Sequence, residues 1–600
     1  MQIVGWLWKP IRVNAAFFVF MFALGYLCTQ TEIRLHLKGA KPYELSATEL
    51  FFDLYVLCVL LTLIPQKVRI WIRGVIAFIL YAVALIDMFC YVHFESTLTP
   101  TMLMLFFETT GREASEFLNS YLGWDLITSK TGWILLIALL HILWAIFSAW
   151  WKKNQGDRSL MPFRIKRPVP LIPPIIGVFA FALFVYGAIA CWPNKQAMVR
   201  LMSKANLGEV EHELTTKGCA NLYLPIHRMV FSLYANRLAS KQITQLLTTT
   251  KKVQVDSCDF RCPQIVLIIG ESYNKHRSQL YGYDKPTTPC QLKHMQDSTL
   301  IAFTDVVAPW NLTSYVFKDV FSLYAVGDKG NWTDQPMFPE IFRKAGYHVT
   351  FLTNQFLPKA GEAVYDFSGG FFLNNPELSK LLFDDRNKRL HRYDDGIVKE
   401  MDARAIKKRY AHQLTILHLM GQHVDYRGRF PVKTRRKFAP ADYPDKKLTK
   451  KRLQINADYD NATLYNDSIV EEVIRRFDHQ NAIIIYMPDH GEECFNTLDY
   501  YGRNHSATID YRLAREEFEI PFWIWASEPY RLSHPHVWEA IKRYRNRPYM
   551  TDLLPHTLLF LAGIHTKDYR KEYDVLNGDY NEKRPRLLKN SVDYNKLKRE

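Results

Sequence analysis

The chain has 600 residues, a formal net charge of +16 and an isoelectric point of about 9.2, and this length exceeds that of one ordinary domain. The positive charge predicts an anionic partner. Because no helix-turn-helix, zinc-finger or RNA-binding motif accompanies it, the charge favours a membrane surface over nucleic acid. The mean hydropathy of −0.15 averages two unlike parts, since nearly every long apolar run lies before residue 193.

Residues 1–192 are predicted to form a transmembrane domain of about five helices. The apolar segments are Val13–Cys28, Leu45–Ile64, Arg73–Val92, Trp133–Trp151 and Val169–Trp192. A spanning helix needs about 20 apolar residues, and the first segment reaches that length only with aromatic neighbours at the interface. The alternative, that some of these segments are buried core helices, requires a soluble domain large enough to enclose them.

Basic residues predict the orientation of these spans. They cluster before the first span and in two of the loops, at Lys9 and Arg12, Lys67–Arg73 and Lys152–Arg167. The positive-inside rule then places the N-terminus in the cytoplasm and everything after Trp192 outside, so the protein is predicted to be a multi-pass membrane protein. Asp53 and Asp87 fall within spans, where they face either a headgroup cavity or another helix.

Residues 193–262 are predicted to be a linker. Its segment Tyr223–Leu238 has helical periodicity, which fits either an interfacial helix or a plain connector. The predicted topology places four cysteines outside the cytoplasm, where disulfides are stable, and Cys258–Cys262 is one conceivable pair.

Residues 263–600 show alternating strand and helix signals, the pattern of a layered α/β/α domain. The predicted strands are Ile265–Ile269, Ile301–Val307, Tyr347–Thr353, Gln413–Leu419, Ala482–Met487 and Pro521–Ala526. Helices are predicted between them, including Met337–Ala345 and Ile455–Phe477.

Potential metal ligands and one hydroxyl group follow several of these strands. Glu271 follows the first strand, Thr313 the second, His423 the fourth, and Asp489 and His490 the fifth, with His505 farther on. Because strand ends lie side by side at one edge of a sheet, these residues are predicted to converge. Mixed oxygen and nitrogen ligands suit Zn²⁺ or Mn²⁺. Beside such a metal Thr313 is a candidate nucleophile, whereas alone it is typical of a cap or turn.

The motifs resemble those of the lipid A phosphoethanolamine transferases, a family within the alkaline-phosphatase/sulfatase superfamily that includes the mobile colistin-resistance enzymes. The motifs are IIGES…YGY…TTP, NLTS, LHLMGQH, YDNATLYND (Tyr459–Asp467) and PDHGEE. The resemblance implies five spans in the bacterial inner membrane and a periplasmic, alkaline-phosphatase-like catalytic domain. It further implies transfer of phosphoethanolamine from phosphatidylethanolamine, as an intermediate on the threonine, to lipid A or another cell-envelope glycan.

Carried over by motif, Glu271, Thr313, Asp489 and His490 hold the catalytic zinc. His423 and His505 bind a second zinc or the phosphoryl oxygens and assist proton transfer. The headgroup ligands implied by the family are Asn354 or Gln355, together with Lys359, and Gln355 departs from the family's usual residue.

Three other functions compete with this one. The first is phosphoglycerol transfer of the lipoteichoic-acid-synthase type, which resembles this chain in topology and nucleophile. Sulfate ester hydrolysis is disfavoured, because the one match to the C/S-x-P-x-R motif, Ser527 to Arg531, follows the last strand. The third is a non-catalytic membrane scaffold. The basic segment Arg427–Arg452 is either a binding surface for acceptor phosphates or anionic lipid, or a solvated loop.

Overall fold

The computed structural model describes residues 2–35, 43–94, 97–100, 103, 128–155, 172–215, 218–355, 372–443, 448–503 and 509–598. The chain folds into two compact units, residues 1–240 and 241–600. The predicted linker, residues 193–262, is divided between them.

The first unit is helical. Its helices are α1 Gln2–Val13, α2 Ala15–Leu35, α3 Ser46–Leu63, α4 Gln66–Phe94, α5 Lys130–Gln155, α6 Ile172–Ala190, α7 Trp192–Met202, α8 Leu207–Thr215 and α9 Pro225–Lys251, the last of which crosses the unit boundary. In the described residues, three helices are long and apolar enough to span a membrane, within α3, α4 and α5. Two bent pairs, α1–α2 at 82° and α6–α7 at 50°, raise the number of candidate spans to as many as five.

Charged side chains inside the first unit are paired. Arg228 donates from Nε to Asp87 Oδ1 at 2.8 Å and from Nη2 to Asp87 Oδ2 at 2.7 Å. Lys195 Nζ lies 2.8 Å from Glu49 Oε1 and 2.7 Å from Asp53 Oδ1. A charge away from water is tolerated only with such a partner. Asp53 and Asp87 therefore both make contacts between helices, one of the two arrangements predicted for them.

The second unit is built on a seven-stranded mixed sheet. Its strands are β1 Gln264–Gly270, β2 Leu300–Phe303, β3 His348–Thr353, β4 Asp385–Arg386, β5 Gln413–His418, β6 Ala482–Pro488 and β7 Phe522–Ala526, in the order β2-β7-β6-β1-β5-β3-β4. Strand β7 is antiparallel to both of its neighbours, whereas the other pairs are parallel.

The sequence of β1 follows from burial on both faces. Ile265, Leu267 and Ile269 pack into one apolar cluster, while Val266 and Ile268 pack into another. A strand covered on both faces needs no alternation of polar residues, which is why β1 is a continuous apolar run. The helices of this unit are α10 Pro289–Gln296, α11 Thr313–Phe321, α12 Phe338–Lys344, α13 Pro376–Leu382, α14 Asp395–Lys407, α15 Val432–Arg435, α16 Lys450–Phe477, α17 Tyr511–Glu517, α18 Glu528–Ser533, α19 Pro535–Tyr544 and α20 Leu554–Ala562.

The sheet order corrects one prediction. The second predicted strand divides into β2 and a two-residue strand, Val306–Val307, which pairs with Tyr549–Met550. Strand β2 lies at the sheet edge, with β7 and β6 between it and β1. Thr313 therefore does not follow a neighbour of β1, and it approaches Glu271 only because residues 304–312 carry the chain back from the edge.

The conceivable disulfide is also absent, because all nine cysteines are free. The Cys258 thiol donates toward Ala562 O and the Cys262 thiol toward Gln264 O.

Candidate active site

Three potential metal ligands meet where β1 and β6 end. These strands are paired in parallel up to Gly270 and Pro488, so the residues that follow them, Glu271 and Asp489-His490, emerge side by side. One ligand atom from each lies within 4.8 Å of the others, and all three residues are fully buried.

Asp489 and His490 each direct one potential ligand atom into the cluster. Asp489 Oδ1 accepts from Ser272 N at 3.0 Å and His490 N at 2.8 Å, while Oδ2 is buried without a hydrogen-bond partner. The Nδ1–H of His490 donates to Gly491 O at 2.7 Å, which fixes the tautomer and leaves the lone pair on Nε2. That Nε2 lies 3.2 Å from Asp489 Oδ2 and 3.6 Å from Glu271 Oε1.

The electrostatics of the cluster favour a bound cation. Burial raises the pKa of Asp489 well above its usual value, and the neighbouring Glu271 carboxylate raises it further. Burial also lowers the pKa of His490 to about 3, so its imidazole is neutral, as a metal ligand must be. A divalent cation relieves the repulsion between two buried carboxylates. The residues present therefore fit a divalent metal.

Thr313 places a hydroxyl against this cluster. Its Oγ1 donates to Glu271 Oε2 at 3.1 Å, and the residue is 7% exposed. Thr313 is the first residue of helix α11, where backbone N–H groups and the helix dipole favour an anion. In an extended segment, the side chains of two consecutive residues point to opposite faces. Thr313 and Ser314 are both helical, so their side chains are not separated in this way.

The loop that carries His423 is attached to the end of β1. Gln422 N donates to Glu271 O at 3.0 Å. Gly421 has a φ of +46°, and an added Cβ would lie 2.9 Å from Glu271 N, so this close approach requires glycine. His423 is half-buried, and burial lowers its pKa while the nearby Glu271 carboxylate acts in the opposite direction.

Of the predicted headgroup ligands Asn354 and Gln355, one contacts the ligand cluster and the other does not. Gln355 Nε2 donates to Glu271 Oε2 at 3.1 Å and to Leu419 O at 2.9 Å, so Gln355 contacts the cluster. The amide of Asn354 is engaged elsewhere, donating to Asp394 Oδ1 at 2.9 Å and accepting from His391 N at 2.7 Å. Lys359 and His505 lie outside the described residues.

Arg503 is a site residue that sequence reasoning missed. Its Nη1 donates to His490 Nε2 at 2.8 Å, and its Nε lies 3.6 Å from Glu492 Oε2. Glu492 is itself buried and accepts from Tyr426 OH at 2.5 Å. A metal at His490 Nε2 and the guanidinium of Arg503 compete for the same lone pair. The one signal in the sequence was proximity, since Arg503 lies two positions before His505.

Residues of the YDNATLYND motif bind the chain segment that follows Glu271. Tyr459 OH donates to Ser272 O at 2.7 Å and accepts from Asn274 N at 2.8 Å. Asp460, which is 0% exposed, accepts from the buried Arg277 Nε at 2.9 Å. The backbone around Glu271 is thus held by a fully satisfied buried network, the kind that fixes one conformation.

Several known proteins are similar to this chain. A sulfatase family model matches residues 263–564, just over half of the chain. Phosphoethanolamine transferase EptC of Escherichia coli K12 is 27% identical over 545 residues, covering 89% of this chain and 86% of that protein. Phosphoethanolamine transferase CptA of Salmonella typhimurium LT2 is 26% identical, covering 87% and 84%.

Among solved structures, the zinc complex of the C-terminal periplasmic domain of Escherichia coli EptC is 27% identical. It covers 58% of this chain and 96% of that chain, with a TM-score of 0.49. The two sequence relatives confirm the resemblance to phosphoethanolamine transferases. By its match to the family model over the whole of the seven-stranded sheet, this chain belongs to the sulfatase family.

Proposed function

We propose that this protein transfers phosphoethanolamine from phosphatidylethanolamine to lipid A or another glycan of the cell envelope, through a covalent intermediate on Thr313. Its relatives EptC and CptA are phosphoethanolamine transferases, which supplies the reaction class. The observation that carries the proposal is the Thr313 hydroxyl, 3.1 Å from Glu271 Oε2 at the edge of a buried ligand cluster.

We assign Glu271, Thr313, Asp489 and His490 as ligands of one divalent metal, Zn²⁺ in preference to Mn²⁺. The unpartnered Asp489 Oδ2 and the neutral His490 Nε2 support this assignment, and a histidine with carboxylates is a ligand set that zinc accepts. When bound, such a metal lowers the pKa of a coordinated hydroxyl and offsets phosphoryl charge.

The side chains of the site have separate roles in the proposed reaction. Glu271 accepts a hydrogen bond from the Thr313 hydroxyl and orients its oxygen toward the donor phosphorus. In the first step the bond from Thr313 Oγ to phosphorus forms as the bond to the diacylglycerol oxygen breaks, and in the second step the acceptor oxygen replaces Thr313. We assign proton transfer and phosphoryl binding to His423 and His505. Of the two alternatives for headgroup binding with Lys359 we choose Gln355, because the amide of Asn354 is engaged by Asp394 and His391.

The donor is a membrane lipid in this proposal, so the catalytic unit must work at a membrane. The candidate spans of the first unit supply the anchor, and the predicted orientation places residues 263–600 in the periplasm.

The test is mass spectrometry of the full-length protein incubated with phosphatidylethanolamine and no acceptor. A phosphoethanolamine adduct on Thr313 is expected, and Thr313→Ala should lose both the adduct and transfer. Ser314→Ala is the matched control, since Ser314 is the adjacent, half-buried hydroxyl, and it should retain a substantial part of the activity. Full activity of Thr313→Ala or an adduct on Ser314 would refute the nucleophile assignment. An adduct on Thr313 with the mass of phosphoglycerol would instead support phosphoglycerol transfer, the competing function.

A further inference from the structure

The second unit carries a group of exposed cations that make no close ion pair within the described residues. We call it the basic surface and define it as Arg427, Lys433, Arg435, Arg436 and Lys437, all exposed. In the described part of the chain, none of these five side chains has a carboxylate oxygen within 4.0 Å, whereas arginines elsewhere in the same unit, such as Arg404 with Glu400, are paired. Burial raises the pKa of the nearby Asp458, and the charges of Arg427 and Arg436 oppose that rise. The five cations still carry a net positive charge that an external anion can bind.

The backbone beneath the basic surface is anchored. Buried Asn461, on helix α16, accepts from Lys437 N at 2.6 Å and Phe438 N at 2.8 Å, and it donates to Phe438 O at 2.9 Å. Phe438 and Tyr443 pack with Ala457 in a small apolar cluster. A solvated loop has no need of an anchor of this kind, whereas a binding surface gains affinity when its charges are held in place.

The basic surface is continuous with the catalytic loop. Arg429 donates from Nε to His423 O at 3.0 Å and from Nη2 to Val424 O at 2.8 Å. The ring of Tyr501, which is 46% exposed, lies 6.3 Å from the ring of Tyr426, next to Arg427. Arg429 thus joins the segment of the basic surface to the loop of His423, and an exposed aromatic ring lies against Tyr426 in that segment.

We propose that the basic surface binds the phosphate groups of a phosphorylated sugar, the headgroup of the acceptor glycolipid. This proposal rests on the proposed function and identifies the chemistry of its acceptor. Guanidinium and ammonium groups recognise phosphate by charge-assisted hydrogen bonds, and an exposed aromatic face such as that of Tyr501 suits the apolar face of a sugar ring. A phosphosugar is favoured over a bare anionic membrane because the basic surface continues directly into the loop that holds His423.

The test compares two full-length triple variants in zwitterionic detergent. One neutralises the basic surface, Arg435→Gln, Arg436→Gln and Lys437→Gln. The matched control removes three exposed cations elsewhere on the unit, Arg545→Gln, Lys567→Gln and Lys583→Gln. The probe is a deacylated, bisphosphorylated glucosamine disaccharide, and its Kd is measured by calorimetry alongside that of the unphosphorylated disaccharide.

The Kd of the bisphosphorylated probe should rise about 10- to 100-fold in the first variant, since each cation contributes up to about 1 kcal/mol at an anionic surface and about 1.4 kcal/mol is tenfold. The control variant should bind like the wild type, and the unphosphorylated disaccharide should not distinguish the three proteins. The rise should diminish as salt increases.

Equal losses in both variants, or no loss in either, would overturn the proposal. Binding of both variants to anionic phospholipid vesicles is measured as well. If the first variant loses binding to the vesicles but binds the bisphosphorylated probe like the wild type, the proposal is overturned and the surface is assigned to the membrane. Formation of the Thr313 adduct from donor alone does not involve the acceptor, so it tests the proposed function independently of the basic surface. If the adduct forms in both variants while probe binding is unchanged, only the acceptor surface is wrong. If the wild type forms no adduct, the proposed function itself fails.

Discussion

Asp489→Asn tests the metal site most directly. Of the two carboxylates in the cluster, Glu271 already accepts from Thr313, Ser272 and Gln355, whereas Asp489 Oδ2 has no donor. Oδ2 is thus the carboxylate oxygen most free to bind a cation. The substitution removes a buried charge while keeping Oδ1 as the acceptor for the backbone N–H groups of Ser272 and His490.

The expected loss follows from the burial of the site. Removing one partner of a buried ionic interaction costs about 3–5 kcal/mol, which corresponds to a metal Kd weakened by about 10²- to 10³-fold or slightly more. Adduct formation at limiting zinc should fall in parallel, and excess zinc should restore part of it because Glu271, Thr313 and His490 remain.

The assay measures zinc affinity by competition with a chelator of known Kd and zinc content by mass spectrometry after dialysis. Asp467→Asn is the control, because Asp467 is also buried, accepts from the backbone N–H groups of Cys290 and Gln291, and is not a member of the cluster. Wild-type zinc affinity in Asp489→Asn, or equal losses in both variants, would refute the reasoning.

Three further predictions follow from the structure. Asp460→Asn should lower the free energy of unfolding by about 3–5 kcal/mol, measured with denaturant, because it leaves the buried Arg277 without its ionic partner. The control Glu582→Gln breaks a more exposed pair with Arg547 and should cost about 1 kcal/mol at most. Equal losses of stability in the two variants would contradict this account. Arg503→Gln should strengthen zinc binding about tenfold by removing a competing cation from His490 Nε2, and unchanged affinity would show that the guanidinium does not compete. A reporter enzyme that works only outside the cytoplasm should be active when fused after residue 600, and a stable but inactive fusion would reverse the predicted orientation.

The elements of the sheet were largely predictable because its buried strands are runs of β-branched residues. Strands β1, β3, β5, β6 and β7 each begin within one residue of the predicted start. The order of the strands was not predictable, because pairing depends on contacts distant in sequence. Strand β7 lies between β2 and β6, which leaves β2 at the sheet edge, two strands away from β1.

The ligand cluster was predictable for a similar reason, since Glu271 and Asp489 directly follow paired parallel strands. The role of Arg503 was not, because a lone arginine near a histidine is indistinguishable in sequence from a solvated one. Likewise nothing in the sequence showed that the amide of Asn354 faces Asp394 while that of Gln355 faces Glu271.

Helix α16 has a consequence for how this protein tolerates change. Three consecutive residues of the helix hold three different segments: Tyr459 the turn after β1, Asp460 the side chain of Arg277, and Asn461 the backbone under the basic surface. Each residue of an α-helix is rotated by about 100° from the one before it. Inserting or deleting a single residue upstream in this helix would turn all three side chains away from their partners at once. We therefore expect the length of α16 to be far more constrained in evolution than the identity of its exposed residues.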